Sequence, residues 1–587
     1  MEYFERTVGC GEITQHYLGS TVTLNGWVHR RRDHGGLIFV DLRDRSGIMQ
    51  VVFSKDISVK AQELAQQLRS EFVIAVRGKV VERAPGTVNT DIPTGHYELQ
   101  AQELSILNKA KQLPFSLEHA DEVDEEMRLK YRYLDLRRPL MQERIKMRHR
   151  IIFAMREFLV KEGFYEIETP ILTKNTAEGA REFLVPSRLH KGSFYALPQS
   201  PQLYKQILMC AGMEKYFQIA RCFRDEDLRA DRQPEFTQLD MEMSFITEKD
   251  IQGIIERLLA HIFKSIFNKE IHVPLRHMTY HEAFSVYGSD KPDLRFGLPI
   301  YDISSLFEDT QLSFLRAVLE KNGKIGTLVV KGHAFTRSEL EHWVDLALKN
   351  GAKGLVWIKF KENGEFEAPI ARFLPPDFYA RMHALVPDLA PGDTAFLVAG
   401  PYKESWAQLG RLRLQLGAAL QLIPQDVIEL LWVTDFPLLE YDEGRWTSVH
   451  HPFTSPQPGW EHQEPAQIKA RAYDIVFNGV ELGGGSIRIH NPEIQRKIFD
   501  FLGLEKDEME AHFGFLLEAQ ELGFPPHGGI ALGIDRFIML LLHCASIRDV
   551  IPFPKTQSGA DPMMQAPTPV DAKKLADYGL KVIVEKA

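Results

Sequence analysis

Cysteine is scarce in this sequence, and the few cysteines are not grouped. Cys10, Cys210, Cys222 and Cys544 are far apart and form no pair with metal-ligand spacing. The spacing therefore predicts neither a disulfide framework nor a zinc site.

Long apolar runs are also absent. No run approaches the roughly 18 residues that a membrane-spanning helix needs, and the first six residues lack the apolar core of a signal peptide. We therefore expect a cytoplasmic protein with no membrane partner.

An excess of basic residues is missing as well. The formal net charge is −10, which argues weakly against a nucleic-acid partner because phosphate contacts require lysine and arginine. The average hides local reversals, since residues 128–150 contain nine Lys or Arg and two acids, and Arg30, Arg31 and Arg32 form another basic cluster. The charge of the chain therefore neither predicts nor excludes a nucleic-acid partner.

The remaining composition is that of a globular protein, with 44% hydrophobic and 26% charged residues. A chain of 587 residues is too long for one core. At about 150 residues per domain, we expect three or four domains.

The first 108 residues read as short strands with one helical interruption at residues 59–69. The predicted strands are residues 22–29, 37–42, 48–53, 72–82 and 97–107. Five strands with a helix after the third is the order of an OB-fold, whose face binds single-stranded nucleic acid. Phe39 beside Arg32 and near Gln50 could stack on a base, although ordinary strand core is an equal reading of Phe39.

A hairpin at residues 216–245 carries the densest charge. Strands at 217–224 and 236–245 flank a loop in which arginines alternate with acids. In the second strand, the odd positions from Leu239 to Phe245 are apolar and Asp240 and Glu242 fall on the opposite side. That side is either a solvated outer face or the floor of a site for an anionic ligand and a metal.

Two glycine-rich segments follow late in the chain. Gly483, Gly484 and Gly485 are costly in a strand unless a small ligand approaches the backbone. Arg488 offers a fork that matches a carboxylate, and Asp474 and Glu481 offer oxygens to Mg²⁺. Residues 527–536 lead into a buried helix at 537–543, which alone is weak evidence for a phosphate site.

The segments between these motifs read as follows. We expect a helix at 142–161, a strand at 164–172, a ligand-closing loop or plain turn at 176–181, a helix at 251–275 and a polar connector at 277–295. Ser200 is the expected N-cap of a helix that presents Lys205, although a lone helical lysine is usually solvated. The adjacent His450 and His451 have a structural role by default.

Taken together, these segments resemble the class II aminoacyl-tRNA synthetases. Residues 142–172, 216–245 and 527–536 are similar to motifs 1, 2 and 3 of that family, and residues 197–205 and 30–39 look like the aspartate and anticodon motifs of its bacterial aspartyl members. The resemblance implies ATP and Mg²⁺ as cofactors, transfer of aspartate to tRNA(Asp), and a homodimer formed through motif 1.

Site residues follow from the same resemblance, position by position. The aspartate-binding residues are Glu178, Ser200, Gln202, Lys205, Arg224, Asp240, His450 and Arg488. The ATP-binding residues are Arg224, Asp225, Glu226, Gln233, Glu481, Gly533, Ile534, Asp535 and Arg536, of which Arg224 and Arg536 are catalytic. Asp474 and Glu481 would hold the metal, and Arg32, Phe39, Gln50 and Glu98 would read the anticodon.

The tRNA partner leaves alternatives open. His34 and Gly86 fit the pattern of family members that charge both tRNA(Asp) and tRNA(Asn), so tRNA(Asn) is an expected second partner. The rivals are an enzyme for tRNA(Asp) only, an asparaginyl or lysyl enzyme, and a synthetase-like ligase or binding protein without tRNA charging.

The predicted fold class is α+β multidomain. It combines an N-terminal OB-fold β-barrel, an antiparallel-sheet catalytic domain of class II type and an inserted α/β domain of the type called GAD. The expected boundaries are 1–108 for the barrel, 109–141 for a hinge, 142–295 and 423–560 for the catalytic domain, 296–422 for the insertion and 561–587 for a C-terminal extension.

Overall fold

The computed structural model describes residues 5–175, 180–361, 365–442 and 444–583. The chain divides into two compact units. The first unit contains Met1–Ile145 and Ala560–Ala566, and the second contains Lys146–Gly559 and Pro567–Ala587. None of the described helices is long and apolar enough to cross a membrane.

The first unit is built around a closed barrel of five strands in the order β1-β2-β3-β5-β4. The strands are β1 Thr21–His34, β2 Leu37–Asp44, β3 Gly47–Phe53, β4 Val73–Glu82 and β5 Tyr97–Asn108, and helix α1 Val59–Ala65 lies between β3 and β4. Ile38, Val40 and Leu42 alternate into the barrel core. The turn between β1 and β2 is Gly35 and Gly36, both with positive φ, as a two-residue hairpin turn requires. The OB-fold prediction is confirmed.

The segment expected as a hinge is more structured than its composition suggested. It contains α2 Glu125–Lys130 and α3 Arg132–Asp135, and Phe115, Ala120 and Leu134 form a small core of their own. Asp135 is fully buried between the guanidinium groups of Arg132 and Arg138. Buried ion pairs therefore help to stabilise this segment, whose sequence lacks the apolar periodicity of an amphipathic helix.

The second unit starts within a long helix and continues into half of the central sheet. Its first elements are α4 Pro139–Lys161, β6 Tyr165–Glu166, β7 Leu184–Pro186, β8 Phe194–Ala196, α5 Gln202–Cys210, β9 Lys215–Phe223, β10 Glu235–Ser244, α6 Glu248–Phe267, β11 Arg276–Thr279 and α7 Tyr280–Tyr287.

An insertion with its own sheet follows. It contains β12 Tyr301–Asp302, α8 Ser313–Glu320, β13 Lys324–Val330, α9 Arg337–Lys349, β14 Val356–Phe360, β15 Phe366–Glu367, α10 Phe378–Leu385, β16 Thr394–Gly400 and α11 Tyr402–Ala419. The strand order is β12-β13-β16-β14-β15, and the two faces of this sheet carry separate apolar cores.

The rest of the second unit completes the central sheet. Its elements are β17 Leu430–Thr434, β18 Leu439–Asp442, β19 Arg445–Ser448, β20 Ala472–Phe477, β21 Val480–Ile487, α12 Pro492–Phe501, α13 Lys506–Glu521, β22 His527–Gly533, α14 Ile534–Leu541 and α15 Ala572–Asp577. The eight strands run in the order β11-β17-β20-β21-β22-β10-β9-β6. Strands from both sides of the insertion therefore meet in one sheet.

Several local predictions are wrong. The strand at 164–172 shortens to the two residues of β6, since Pro170 cannot supply a ladder donor. Phe245 leaves the core, because its φ of 59° ends β10 and turns the ring outward with 70% exposure.

Two more predictions fail at helix boundaries. Pro201 is the N-cap of α5 and Ser200 is not, and no side chain caps this helix. The region expected to be a polar connector, 277–295, includes β11 and α7, because a Thr279 and Glu282 capping box starts a helix that the polar composition had concealed.

Candidate functional site

The central hairpin places two acids where water does not reach them. In β10, Leu239, Met241 and Met243 pack into the main core, while Asp240 and Glu242 on the other face are 1% and 0% exposed. A solvated outer face is therefore excluded for these two residues, and buried carboxylates require charged or hydrogen-bonding partners.

A cavity of about 640 Å³ lies on this acidic face. Its walls come from α5, β10 and the loop before it, β20, β21 and the start of α14. The predicted site residues in its lining are Ser200, Gln202, Lys205, Arg224, Glu226, Gln233, Asp240, His450, Asp474, Glu481, Arg488, Gly533, Asp535 and Arg536. The three arginines from distant parts of the chain thus share one cavity.

Three predicted residues are not in this lining. Asp225 is exposed, and its backbone N–H donates to the carbonyl of Arg181. Ile534 is fully buried in the main core. Glu178 lies outside the described residues.

Lys205 is held by two carboxylates. Its ammonium donates to Asp240 Oδ2 at 3.0 Å and lies 3.1 Å from Glu242 Oε2. The lysine side chain is 1% exposed, so the common expectation of a solvated helical lysine does not apply. The ammonium also donates to the Met241 carbonyl at 3.4 Å, so all three of these partners belong to β10.

Arg488 contacts the second of those carboxylates. Arg488 Nε donates to Glu242 Oε1 at 3.0 Å, and Nη1 donates to Ser486 Oγ at 2.8 Å. Glu242 therefore bridges Lys205 and Arg488. Glu242 is not among the residues predicted for the site, although its alternation with Asp240 on one strand face was the available signal.

Burial and neighbouring charges shift the pKa values of Asp240, Glu242 and His450. Burial raises the pKa of Asp240 to about 6, and Lys205 offsets only part of that effect. Burial also opposes ionisation of Glu242, but Arg488 and Lys205 outweigh it and lower the pKa of Glu242 to about 2. Burial lowers the pKa of His450 to about 4, aided by the charge of Arg488, so His450 is neutral at pH 7.

The opposite end of the cavity carries two further guanidinium groups. Arg224 stacks over the ring of Phe236 at 5.1 Å. Arg536 Nη1 donates to the Glu481 carbonyl at 2.8 Å, and Nη2 lies 3.3 Å from Asp231 Oδ2. These contacts fix both planes and leave N–H groups directed at the cavity.

Several buried polar atoms of the lining have no hydrogen-bond partner among the described residues. They are Gln202 Nε2, Arg224 Nε, Asp240 Oδ1 and Arg536 Nε. Buried polar groups are nearly always satisfied in folded proteins. Their coincidence in one cavity indicates a polar ligand that would complete them.

Two predicted ATP residues have structural partners. The Gln233 side chain exchanges hydrogen bonds with the backbone of Lys555 at 2.7 and 3.1 Å. Asp535 accepts from the Thr237 N–H at 2.8 Å and pairs with Arg148. Both side chains therefore brace the cavity wall.

Asp474 and Glu481 form the acidic end of the lining. Burial, followed by the charge of Glu481, raises the pKa of Asp474 well above its usual range. The Asp474 side chain is 7% exposed and accepts no hydrogen bond from the described residues. A Cβ on Gly484 would meet Asp474 Oδ1 at 2.4 Å, so the glycine makes room for this carboxylate.

This pair of carboxylates suits a magnesium ion that completes its coordination with phosphate and water. It does not suit a metal ion enclosed by protein ligands alone. No set of three His, Cys, Asp or Glu side chains within the described ranges could enclose a metal. Mg²⁺ commonly uses one or two carboxylates together with phosphate oxygens and water. Asp474 and Glu481 supply that donor set.

A second cavity of about 1050 Å³ shares part of this lining. Ser200, Gln202, Arg224 and His450 border both cavities, and Leu203, Tyr204, Ile207, Phe515 and Leu522 form an apolar wall. The first cavity therefore communicates with a wider, more apolar approach.

In the first unit, the predicted anticodon residues form one hydrogen-bonded row on the outside of the barrel. Arg32 Nη2 donates to Asp41 Oδ1 at 2.7 Å and lies 3.4 Å from Gln50 Oε1, and Gln50 Nε2 donates to Glu98 Oε2 at 2.9 Å. Phe39 is opposite Arg32 in the β1–β2 register and is half-buried. The alternative that Phe39 belongs to the barrel core is wrong.

The two residues predicted to discriminate between tRNAs, His34 and Gly86, both belong to the first unit. The rings of His34 and Phe39 meet edge to face at 6.1 Å. Gly86 has a φ of 83° in the exposed loop between β4 and β5. Arg83 from the same loop is buried, and its guanidinium donates to the carbonyls of Tyr97 and Thr87.

Comparisons with known proteins agree with both units. The family described as tRNA synthetases class II (D, K and N) matches residues 124–557, and an OB-fold nucleic acid binding domain matches residues 22–107.

Curated relatives extend over nearly the full chain. The sequence is 52% identical over 584 residues to the aspartate–tRNA(Asp/Asn) ligase of Syntrophomonas wolfei, covering 98% of this chain and 99% of the relative. It is 50% identical over 586 residues to the aspartate–tRNA ligase of Staphylococcus carnosus, covering 98% and 99%.

Solved structures support the fold at lower identity. The asparaginyl-tRNA synthetase from Pyrococcus horikoshii, complexed with asparaginyl-adenylate, superposes with a TM-score of 0.59 at 19% identity, covering 94% of this chain and 99% of that one. At that identity the likeness concerns the fold alone.

Proposed function

The chain belongs to the class II tRNA synthetases for aspartate, lysine and asparagine, and we infer from its full-length relatives that it is an aspartate–tRNA ligase. It joins L-aspartate to tRNA at the expense of ATP, which is cleaved to AMP and diphosphate. The observation that carries the assignment of roles is the convergence of Lys205, Arg224, Arg488 and Arg536 on one cavity.

We propose that Lys205 and Arg488 bind the side-chain carboxylate of aspartate. Glu242 holds both cations in place and neutralises part of their charge before the substrate arrives. An asparagine amide would leave positive charge unpaired in a buried site, which costs several kcal/mol. Ser200, Gln202, Asp240 and His450 line the rest of this end, and Asp240 Oδ1 offers a free acceptor to the substrate's ammonium.

Arg224 and Arg536 are proposed to bind ATP. Their Nε atoms lack partners in the described residues, and guanidinium groups suit phosphate oxygens. Glu226, Gly533 and the Glu481 backbone line the same end. Gln233 and Asp535 act by bracing the wall, whereas Asp225 and Ile534, which are outside the lining, have no proposed contact with ATP.

The reaction needs little proton transfer. An oxygen of the aspartate α-carboxylate attacks the α-phosphorus of ATP in line with the departing diphosphate, so one P–O bond forms as another breaks. Arg224 and Arg536 offset the charge that develops on the phosphoryl oxygens. In the second step, a ribose hydroxyl of the 3'-terminal adenosine attacks the aspartyl carbonyl, and AMP leaves.

Asp474 and Glu481 would hold Mg²⁺ through their carboxylates. When bound, the ion neutralises phosphate charge and orients the diphosphate. Burial, and after it the charge of Glu481, raises the pKa of Asp474, and a bound cation would favour its ionised form.

The wider second cavity is the proposed approach for the 3' end of the tRNA. It opens onto Ser200, Gln202, Arg224 and His450, and its apolar wall suits the faces of unstacked bases. The barrel face with Phe39, Arg32, Gln50 and Glu98 is the proposed anticodon site, in which Phe39 stacks on a base and the polar row reads base edges.

We further propose that both tRNA(Asp) and tRNA(Asn) are charged. His34 contacts the Phe39 ring edge to face, so the residue is placed to influence which anticodon base is accepted. Purified tRNA(Asn) should yield aspartyl product with the wild-type enzyme, and His34→Ala should change the ratio of tRNA(Asn) to tRNA(Asp) charging. Absence of aspartyl-tRNA(Asn) would assign the enzyme to tRNA(Asp) alone.

A homodimer is proposed through α4 and the segment after it. Phe153, Val160, Tyr165, Ile171 and Leu172 are between 50% and 64% exposed. Exposed apolar side chains on adjacent elements mark association surfaces. Because the substrates are tRNA and ATP, we propose the cytoplasm as the place of action.

Amino-acid-dependent ATP–diphosphate exchange tests the central assignment. With aspartate, asparagine and lysine supplied separately, only aspartate should support rapid exchange. Preferential exchange with asparagine or lysine would contradict the assignment of the Lys205 and Arg488 pocket.

A further inference from the structure

Arg413 in the inserted domain is a buried cation without an acidic partner. Its side chain is 1% exposed, and no carboxylate of the described residues lies within ion-pair distance. Burial lowers its pKa to about 10. An unpaired buried charge is destabilising. Other polar groups must therefore stabilise the guanidinium group of Arg413.

The guanidinium group of Arg413 donates hydrogen bonds to backbone carbonyls, since it has no carboxylate partner in the described part of the chain. Nη2 donates to the carbonyls of Asp293, Phe296 and Gly297 at 2.8 Å each, and Nε donates to Gly297 and Leu298 at 3.1 Å. The same group stacks over the ring of Phe296 at 4.0 Å and of Tyr287 at 4.8 Å. One side chain thus fixes the segment 293–298, which joins the catalytic part to the insertion.

Helix α11 also contacts residues 285–288, which precede that segment. Trp406 Nε1 donates to the Ser285 carbonyl at 2.7 Å. A Cβ on Gly288 would lie 2.0 Å from the Trp406 carbonyl, and one on Gly410 would lie 2.6 Å from the Gly288 carbonyl. The end of α7 and helix α11 therefore touch through their backbones.

The segment 293–298 contacts the central sheet at the turn between β20 and β21. Asp293 is buried and makes a two-point ion pair with Arg295, and a Cβ on Gly479 would lie 2.7 Å from its Cβ. Gly479 belongs to the turn between β20, which carries Asp474, and β21, which carries Glu481. The returning chain binds the same turn, since the Glu429 N–H donates to Asn478 Oδ1 at 2.8 Å.

Asp290 lies between the two segments that α11 holds, residues 285–288 and residues 293–298. Its side chain lines the catalytic cavity. Asp290 lines this cavity with Asp474 and Glu481, and no hydrogen bond or ion pair holds its side chain in the described structure. Its charge acts on Asp474, on the neutral His450 and on Tyr280. No three acids lie at metal-enclosing distance in the described residues, so Asp290 does not join Asp474 and Glu481 in one direct ligand set.

We propose that Arg413 is a positioning residue through which the inserted domain holds Asp290 beside the magnesium-binding end of the cavity. With Mg²⁺ bound at Asp474 and Glu481, the Asp290 carboxylate would accept hydrogen bonds from water molecules on the ion. Carboxylates in that position orient ligands and tune the affinity of a metal site. The proposal rests on the proposed function and gives the insertion a part in it.

The test measures ATP binding by calorimetry as Mg²⁺ is varied, with exchange kinetics in parallel. Asp290→Asn and Arg413→Met should each raise the Mg²⁺ concentration for half-maximal ATP binding about 10-fold. The KM for aspartate should change less. Arg411→Met is the matched control, because Arg411 lies on the same helix, is exposed, and donates only to the Asn350 carbonyl.

Arg413→Lys guards against a folding defect in Arg413→Met. The lysine keeps the charge but cannot span four carbonyls, so the Mg²⁺ dependence should still shift. Wild-type Mg²⁺ dependence in either Asp290→Asn or Arg413→Lys overturns the inference. Failure of aspartate-dependent exchange in the wild-type enzyme would instead overturn the proposed function, because ATP binding is measured without amino acid.

Discussion

Arg488 and Glu242 form a buried ion pair, with Nε 3.0 Å from Oε1 and side chains that are 5% and 0% exposed. The two residues are 246 positions apart. Their contact joins β10 to the residue that follows β21, and Lys205 completes it from α5. Lys205 and Arg488 together with an ionised Glu242 therefore carry a net charge of +1.

Replacing Arg488 with leucine should abolish aspartate activation. Breaking a buried pair costs about 3–5 kcal/mol, and the same loss of substrate binding would lower kcat/KM for aspartate-dependent exchange about 150- to 4000-fold. Arg221→Leu is the control, since Arg221 forms a more exposed pair with Glu235 on the same hairpin. Near wild-type exchange in Arg488→Leu, with circular dichroism unchanged, would refute the assignment.

Asp240 should make stability depend on pH. Its folded pKa of about 6 exceeds the ordinary 3.8, so the folded state keeps a proton that the unfolded state has lost between these values. Stability from this group is full below pH 3.8 and falls by about 3 kcal/mol as pH rises to 6. Urea unfolding between pH 4 and 7 should show this decline in the wild type and a flatter profile in Asp240→Asn. Equal profiles would mean that Asp240 titrates normally.

The proposed dimer surface can be broken at one ring. Phe153 on α4 is 60% exposed, and Phe153→Asp would place a charge in an apolar interface. Sedimentation should then report monomers where the wild type gives dimers. Phe245→Asp is matched, because Phe245 is 70% exposed in the same unit but lies outside the α4 surface. A dimer that survives Phe153→Asp would place the interface elsewhere.

Phe39 should affect tRNA charging and leave amino-acid activation intact. Base stacking contributes about 1–3 kcal/mol per base, so Phe39→Ala should lower kcat/KM for tRNA about 10- to 100-fold. Exchange without tRNA should be unchanged. Leu18→Ala, another exposed apolar residue of the first unit, should leave both reactions unaffected. A parallel loss of exchange in Phe39→Ala would point to a folding defect in the barrel.

The sequence by itself determined the elements and the family. Alternation in β10 and the order of strands and one helix before residue 108 fixed the hairpin and the barrel, because these patterns are local and repeat with the period of the structure. The motif arginines and Lys205 were identified by resemblance. Their roles stay predictions, but the cavity that gathers them was expected.

Tertiary structure alone decided how charges are shared. That Glu242 is buried between Lys205 and Arg488, that Gln233 and Asp535 bind protein atoms, and that Arg413 holds a connector leading to Asp290 depend on contacts between residues far apart in the chain. Periodicity specifies which face of an element is polar, whereas pairing on that face depends on which other element packs against it. The same physics explains the errors at Phe245 and Ser200, since the ends of elements depend on single dihedral angles and caps that have no periodic signal.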